Sequence, residues 1–283
     1  MDGLVYITHP NMKRILISFF FGTIFLHAFS QVDSLQLKLD SIIKEADFLY
    51  CYEKAVWNAS DILMVESPLK NNYGGYVVSH TNDTIFATFI DKTQKQKIAT
   101  YYFTKSNLGL PFKTETGLLP LNHSDQELLD IKSTVLSQLS DKKYQVAIPQ
   151  NFNPNFVLIK EKVGFKLYLI LGTSESGVIP FGNDYLFKTD SKGKITSWEK
   201  FHSRVIPTLA AYNGKKVTES IHSHLNTTPY ITATDICTFR LYAPYTELDR
   251  FSVYSPAIKK TMTYILKTNQ IVVEAFNGSI LNK

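Results

Sequence analysis

Residues 219–235 read ESIHSHLNTTPYITATD, and the order of elements in this stretch decides the fold class. The segment Val217–Leu225 has the character of a β-strand. Residues two apart on a strand point to one face, so His222 and His224 present two imidazoles side by side. A loop carrying Pro229 follows. The spacing then predicts a helix over Ile231–Ala243, stopped by Pro244. Thr232 and Asp235 are three apart on that helix and share a face.

Strands continue on both sides of this unit. Downstream, Phe251–Tyr254, Thr261–Leu266 and Ile271–Glu274 are expected strands, with Thr268-Asn269 as a hairpin turn. Upstream lie Phe156–Lys160, Phe165–Leu171, Tyr185–Thr189 and Ile195–His202, with a turn at Lys192-Gly193. The run Phe181-Gly182-Asn183-Asp184-Tyr185 reads as a tight turn into a strand. Before the Pro/Asn-rich stretch 149–155 the pattern differs. Residues 33–50 carry apolar side chains at helical spacing, and a second short helix is expected over Glu53–Met64. Tyr73–Ser79, Thr84–Ile90 and Lys97–Thr104 form an expected antiparallel meander. Ser124 and Glu127 read as a capping box opening a helix that presents Leu128, Ile131, Val135, Leu136 and Leu139. The expected class is α+β. An N-terminal domain of helices and meander, 31–148, precedes a C-terminal mixed sheet with a packed helix, 156–283.

The chain of 283 residues is 44% hydrophobic and 19% charged, which excludes disorder as the default state. Its net charge of +5 comes without a run of five like charges, so a nucleic-acid partner is not indicated. Residues 12–30 read MKRILISFFFGTIFLHAFS, with a basic start, a short apolar run and a small-residue site. This is the pattern of an export signal cleaved near Ser30-Gln31, with residues 1–11 as an upstream extension. The expectation is a secreted or periplasmic protein with no stable membrane span after cleavage. Cys51 and Cys237 could then pair, or Cys237 could be a small buried apolar residue.

If the helix start folds back on the strand end, two imidazoles and the Asp235 carboxylate meet. That is a three-ligand set for Zn²⁺ with the fourth position open to water. The bland readings are exposed strand histidines, Thr232 as a helix cap and Asp235 as a first-turn acid complementing the helix dipole.

His-x-His, seven residues, a hydroxyl residue, two residues and Asp is similar to the signature of the JAMM (MPN-plus) zinc metalloproteases. The strand–loop–helix context over roughly residues 160–275 also resembles that family, whose fold is cytidine-deaminase-like. The resemblance implies His222, His224 and Asp235 as zinc ligands and Thr232 as a group that helps stabilise a tetrahedral intermediate. It also implies a glutamate upstream as general base, and Glu175, 47 residues before His222, is the candidate. Leu225 stands where the family has proline, and Thr232 where it has serine. Glu199 and Glu219 compete as bases, and His202 as a further ligand or substrate-binding group. The function implied is an exported zinc-dependent hydrolase cleaving an amide bond, peptide or isopeptide, in a peptide or protein substrate. The alternative is a non-catalytic binding module that retains the fold. A centre closed by a fourth ligand such as His202 would favour that alternative.

Overall fold

The computed structural model describes residues 12–276, with side chains described from Ser34 onward, Glu66 excepted. The upstream extension, 1–11, lies outside the described residues, as do the side chains of the expected export signal. The chain divides into two compact units, 1–42 and 43–283, and helix α1 (Met12–Glu66) runs through both. In the first unit Leu39 and Ile42 are buried, and Gln36 donates a hydrogen bond to Asp40 one turn on, at 2.8 Å. The sequence predicts two helices between residues 33 and 64, and the structure has one. From Ala46 the buried positions Leu49, Tyr52, Val56, Ala59 and Leu63 keep one stripe at three- and four-residue steps. Neither Gly nor Pro interrupts it, so nothing breaks the backbone.

The second unit is mixed α and β, with mostly antiparallel sheets. Strands β1 (Tyr73–Thr81), β2 (Thr84–Asp91), β3 (Gln96–Thr104) and β4 (Lys113–Pro120) pair in sequence order. Asn82 turns the first hairpin in the left-handed region, φ 52°, which asparagine tolerates well. Strand β4 was not legible: its side chains are mainly exposed, and pairing to β3 holds it rather than an apolar face. Helix α2 (His123–Gln138) starts two residues earlier than a Ser124 cap would set it. Asn122 is the cap, and its Oδ1 accepts the Asp125 N–H at 2.8 Å.

Strands β5 (Asn153–Lys160) and β6 (Phe165–Gly172) lead to a short strand β7 (Val178–Gly182) and then to β8 (Tyr185–Thr189) and β9 (Ile195–Lys200). The sheet order is β5-β6-β8-β9, while β7 pairs antiparallel with β10 (Val205–Leu209) in a separate ribbon. A small hairpin, β11 (Ala211–Tyr212) and β12 (Lys215–Lys216), precedes β13 (Glu219–Ser223). Helix α3 (Ala233–Tyr242) then crosses to β14 (Arg250–Ser255), which runs parallel to β13. Strands β15 (Lys260–Ile265) and β16 (Gln270–Ala275) complete a mixed sheet in antiparallel sense.

One apolar cluster takes Val77 and Ile90 from the meander, Leu128, Ile131 and Val135 from α2, and Leu158, Leu167, Leu169 and Phe187 from the β5–β9 sheet. The two segments expected as separate domains, 31–148 and 156–283, therefore contribute to one core. Each large side chain buried there contributes about 1.5–3 kcal/mol relative to exposure. Cys51 and Cys237 are free thiols, and Cys237 is fully buried. Among the described residues no helix is long and apolar enough to cross a membrane.

Candidate metal centre

Three loops and one strand end converge at the open end of the β13–β14 pair. His222 lies on β13, and His224 lies just past its end. The His224 N–H donates to the Tyr254 carbonyl at 3.0 Å, which prolongs the pairing and keeps the two imidazoles on one side. Their ring centroids are 5.2 Å apart at 28°. The crossover then brings the start of α3 back over the strand end. Thr232 caps that helix and Asp235 is its third residue, in a reciprocal capping box. His202 comes from the loop between β9 and β10, not from β9 as the sequence suggested.

Asp184 is delivered by the corner after β7. Gly182 has φ 81°, and a Cβ there would stand 2.4 Å from the Arg204 carbonyl oxygen. Only glycine permits that approach, which seats the β7 corner against the His202 loop. Asn183 follows at φ 52°, buried, its amide donating to the Ala147 carbonyl at 2.7 Å.

Four ligand atoms meet, one each from His202, His222, His224 and Asp235, all within 4.8 Å of one another. The His224 Nε2 lies 2.9 Å from His202 Nε2 and 3.2 Å from His222 Nε2. The Asp235 carboxylate stands 3.2 Å from His224 Nε2, 3.4 Å from His202 Nε2 and 3.6 Å from His222 Nε2. A tetrahedron with metal–ligand bonds of about 2.0–2.1 Å has edges of about 3.3–3.4 Å. The separations given, 2.9–3.6 Å, lie around that value, with Oδ1 nearest His202 and His222 and Oδ2 nearest His224.

The outward hydrogen bonds settle which ring nitrogens face inward. His224 Nδ1 donates to the Tyr230 carbonyl at 2.8 Å, and a carbonyl can only accept. His202 Nδ1 donates to Asp184 Oδ1 at 2.6 Å. With Nδ1 committed outward, both rings turn Nε2 toward the centre. The His222 ring packs beside Phe181 at 5.2 Å and is stacked with Phe251 at 6.1 Å. Asp235 divides its oxygens: Oδ2 accepts from the Thr232 N–H at 2.9 Å and hydroxyl at 2.6 Å, while Oδ1 is buried without a hydrogen-bond partner. Three ring nitrogens crowded beside a buried carboxylate oxygen without a hydrogen-bond partner make an arrangement that positive charge among them, a proton or a metal ion, stabilises. The cluster could hold a metal ion, and its donor chemistry fits one.

Protons compete for the same lone pairs. Burial alone would lower the His202 pKa, but Asp184 and Asp235 outweigh it and carry it up to about 9. Burial lowers that of His222. Burial would raise that of Asp235, yet His202 and His224 beside it hold it well below the usual carboxylate range. Asp184 in turn accepts from the Thr234 hydroxyl, so the second carboxylate is held at both oxygens. Carboxylate–histidine pairs of this kind orient metal ligands in general.

His222, His224 and Asp235 are thus brought together as the motif implies. His202 joins them, so four residues rather than three form the group that could hold a metal ion. Thr232 is buried beside Asp235, with its hydroxyl engaged by the Asp235 N–H and Oδ2 and by Thr234. Glu175 is exposed on the β6–β7 loop, outside the four-residue cluster. Glu199 and Glu219 are exposed and equally outside it. Asp184 is the residue the sequence reading missed, although the Gly-Asn-Asp corner marked its position. A cleft of about 640 Å³ opens above the centre, lined by His202, His222 and His224 with Arg204, Ile206, Ile221, Leu225 and Tyr254 among others. Compared with protein-family models, with curated proteins and with solved structures, the chain finds no match.

Proposed function

We propose that the cluster is a zinc centre and that the protein is a zinc-dependent binding module, resembling the JAMM peptidases in its metal-bearing strand, loop and helix. The observation that carries this is the place of His202. Its Nε2 is 2.9 Å from that of His224, at a ligand position. A base acting through a water would stand one further hydrogen bond out, about 2.6–3.2 Å beyond that water. Three imidazoles, one carboxylate and no thiolate suit zinc, and a closed set of four is the pattern of sites that hold rather than turn over.

The second reading is the exported amide hydrolase acting on a peptide or protein. The cleft that reaches three of the four ligands favours it. Zinc would supply a Lewis acid and an acidified water. His202 would leave its ligand position, and Asp184 would keep its Nδ1–H in place while Nε2 takes a proton. Roles for Glu175 as base and Thr232 at a tetrahedral intermediate belong to this reading. They require the exposed loop to reach a cleft it does not line, and the cap hydroxyl to exchange partners. Cleavage of the leader near Ser30-Gln31 belongs to both readings and is checked by N-terminal sequencing of exported protein.

Elemental analysis and cobalt substitution test the centre. The wild type is expected to hold one zinc per chain, with the strong visible bands of tetrahedral cobalt. His222→Ala/His224→Ala loses both. His202→Ala is expected to change the cobalt spectrum as water replaces the imidazole. An unchanged spectrum would remove His202 from the ligand set and leave the three-ligand hydrolase. Amide cleavage by the wild type on peptide and isopeptide libraries would also decide for the hydrolase.

A further inference from the structure

We propose that the cleft above the centre takes a ligand carrying a single carboxylate, and that Arg204 selects it. The inference rests on the zinc reading and adds the class of ligand. Three arginines have described side chains. Arg240 pairs with Asp47 and lies over the Tyr50 ring at 3.9 Å. Arg250 pairs with Asp249 at 2.9 Å. Arg204 is exposed in the cleft, and among the described residues no carboxylate pairs with it.

The surroundings point to an anion. No Asp or Glu lines the cleft, and apart from the imidazoles Arg204 is its only titratable cation. Ile206, Ile221 and Leu225 give the cleft apolar walls against which the carbon chain of such a ligand can pack. A divalent cation at the centre is balanced by Asp235 and Asp184. The guanidinium then remains as one positive charge, suited to a monoanion. Its planar fork matches a carboxylate in two parallel hydrogen bonds. Arg204 follows His202 by two residues on the same loop, so a ligand held by Arg204 lies over the metal ligands rather than apart from them. A volume of about 640 Å³ accommodates a small acid or the end of a peptide.

The test uses linear monocarboxylates with a neutral amide at the far end, which need no open position on the metal. A series with spacers of increasing length is compared with the matching methyl esters on the zinc-loaded full chain. Binding is read by calorimetry. For at least one length the acid is expected to bind about ten- to a hundredfold tighter than its ester, the range of a charge-assisted hydrogen bond. Arg204→Gln is expected to bring the acid to the ester's level, with metal content and ester affinity unchanged. Equal binding of acid and ester at every length overturns the inference, as does an acid preference that survives Arg204→Gln. A phosphonate of the same length that outbinds the carboxylate, and loses this in Arg204→Gln, overturns the carboxylate class. Zinc-loaded protein that binds neither acid nor ester at any length overturns it while leaving the zinc reading intact. Protein that holds no zinc overturns both.

Discussion

Glu53 and Lys132 line one small void in the interior, while His202, His222, His224 and Asp235 meet at the strand ends. Both are buried clusters of ionisable groups. They differ in what completes them. Lys132 Nζ donates to the Tyr76 carbonyl at 3.2 Å and lies over the Tyr76 ring at 4.0 Å. Burial pushes Glu53 up to about 7, while Lys132 and a hydrogen bond with Asn155 pull the other way. Burial lowers Lys132 to about 8, opposed by Glu53. Each group therefore finds protein partners. In the second cluster Asp235 Oδ1 has none, and three imidazole nitrogens crowd the same space. Burial and shifted ionisation are common to both. The unpartnered carboxylate oxygen among crowded ring nitrogens marks the second as the one that could hold a metal ion.

The sharpest way to break this contrast is chelation. Ligand at a thousand times its dissociation constant stabilises a fold by about 4 kcal/mol. Removing zinc should lower the unfolding free energy of the wild type by about that much, read from denaturant midpoints. The His222→Ala/His224→Ala variant should not respond to the chelator. Equal stability with and without metal would make the second cluster as self-sufficient as the first.

The pair Glu53 and Lys132 should show itself in pH instead. The folded pKa of Glu53 is raised, so its stabilising contribution is full below about 4.5 and is lost as pH rises through about 7. That of Lys132 is depressed, so its contribution is full above about 10.5 and is lost as pH falls through about 8. A trough in stability is expected between about 7 and 8, on the order of 3 kcal/mol deep on each side. The Glu53→Gln/Lys132→Met variant, compared with wild type across that range, should lack it. A trough of the same depth in the variant would assign it elsewhere.

Asp184→Asn sharpens the second cluster. The amide oxygen can still accept from His202, but the charge is gone. Zinc affinity should fall about 10- to 100-fold with the fold retained, as measured by competition with a chromophoric chelator. The smallest effect is expected from Thr232→Val. Loss of the cap should cost about 1 kcal/mol of stability while zinc remains bound. A variant that instead loses its metal would show that the Thr232 hydroxyl is needed to hold Asp235.

Local pattern carried much of the fold. The alternation and turns of the meander, β8, β14 to β16 and the helix after Pro229 were legible because side-chain period and turn chemistry act within a few residues. So were His222, His224 and Asp235, which one strand–loop–helix unit holds together. The Glu175 assignment rested on distance along the chain, and 47 residues of chain impose no distance in space. The break expected in α1 came from treating two apolar runs separately, though their buried stripe continues in phase.

The sequence by itself determined the α+β class, the imidazole pair on one face and the carboxylate one helical turn after its cap. Tertiary structure alone decided the rest of the centre. His202 reaches His224 across 22 residues, and Asp184 reaches His202 across 18, through the antiparallel β7–β10 ribbon and the Gly182 corner. No periodicity encodes such contacts. They exist because strands distant in sequence pair, and pairing register sets which side chains meet.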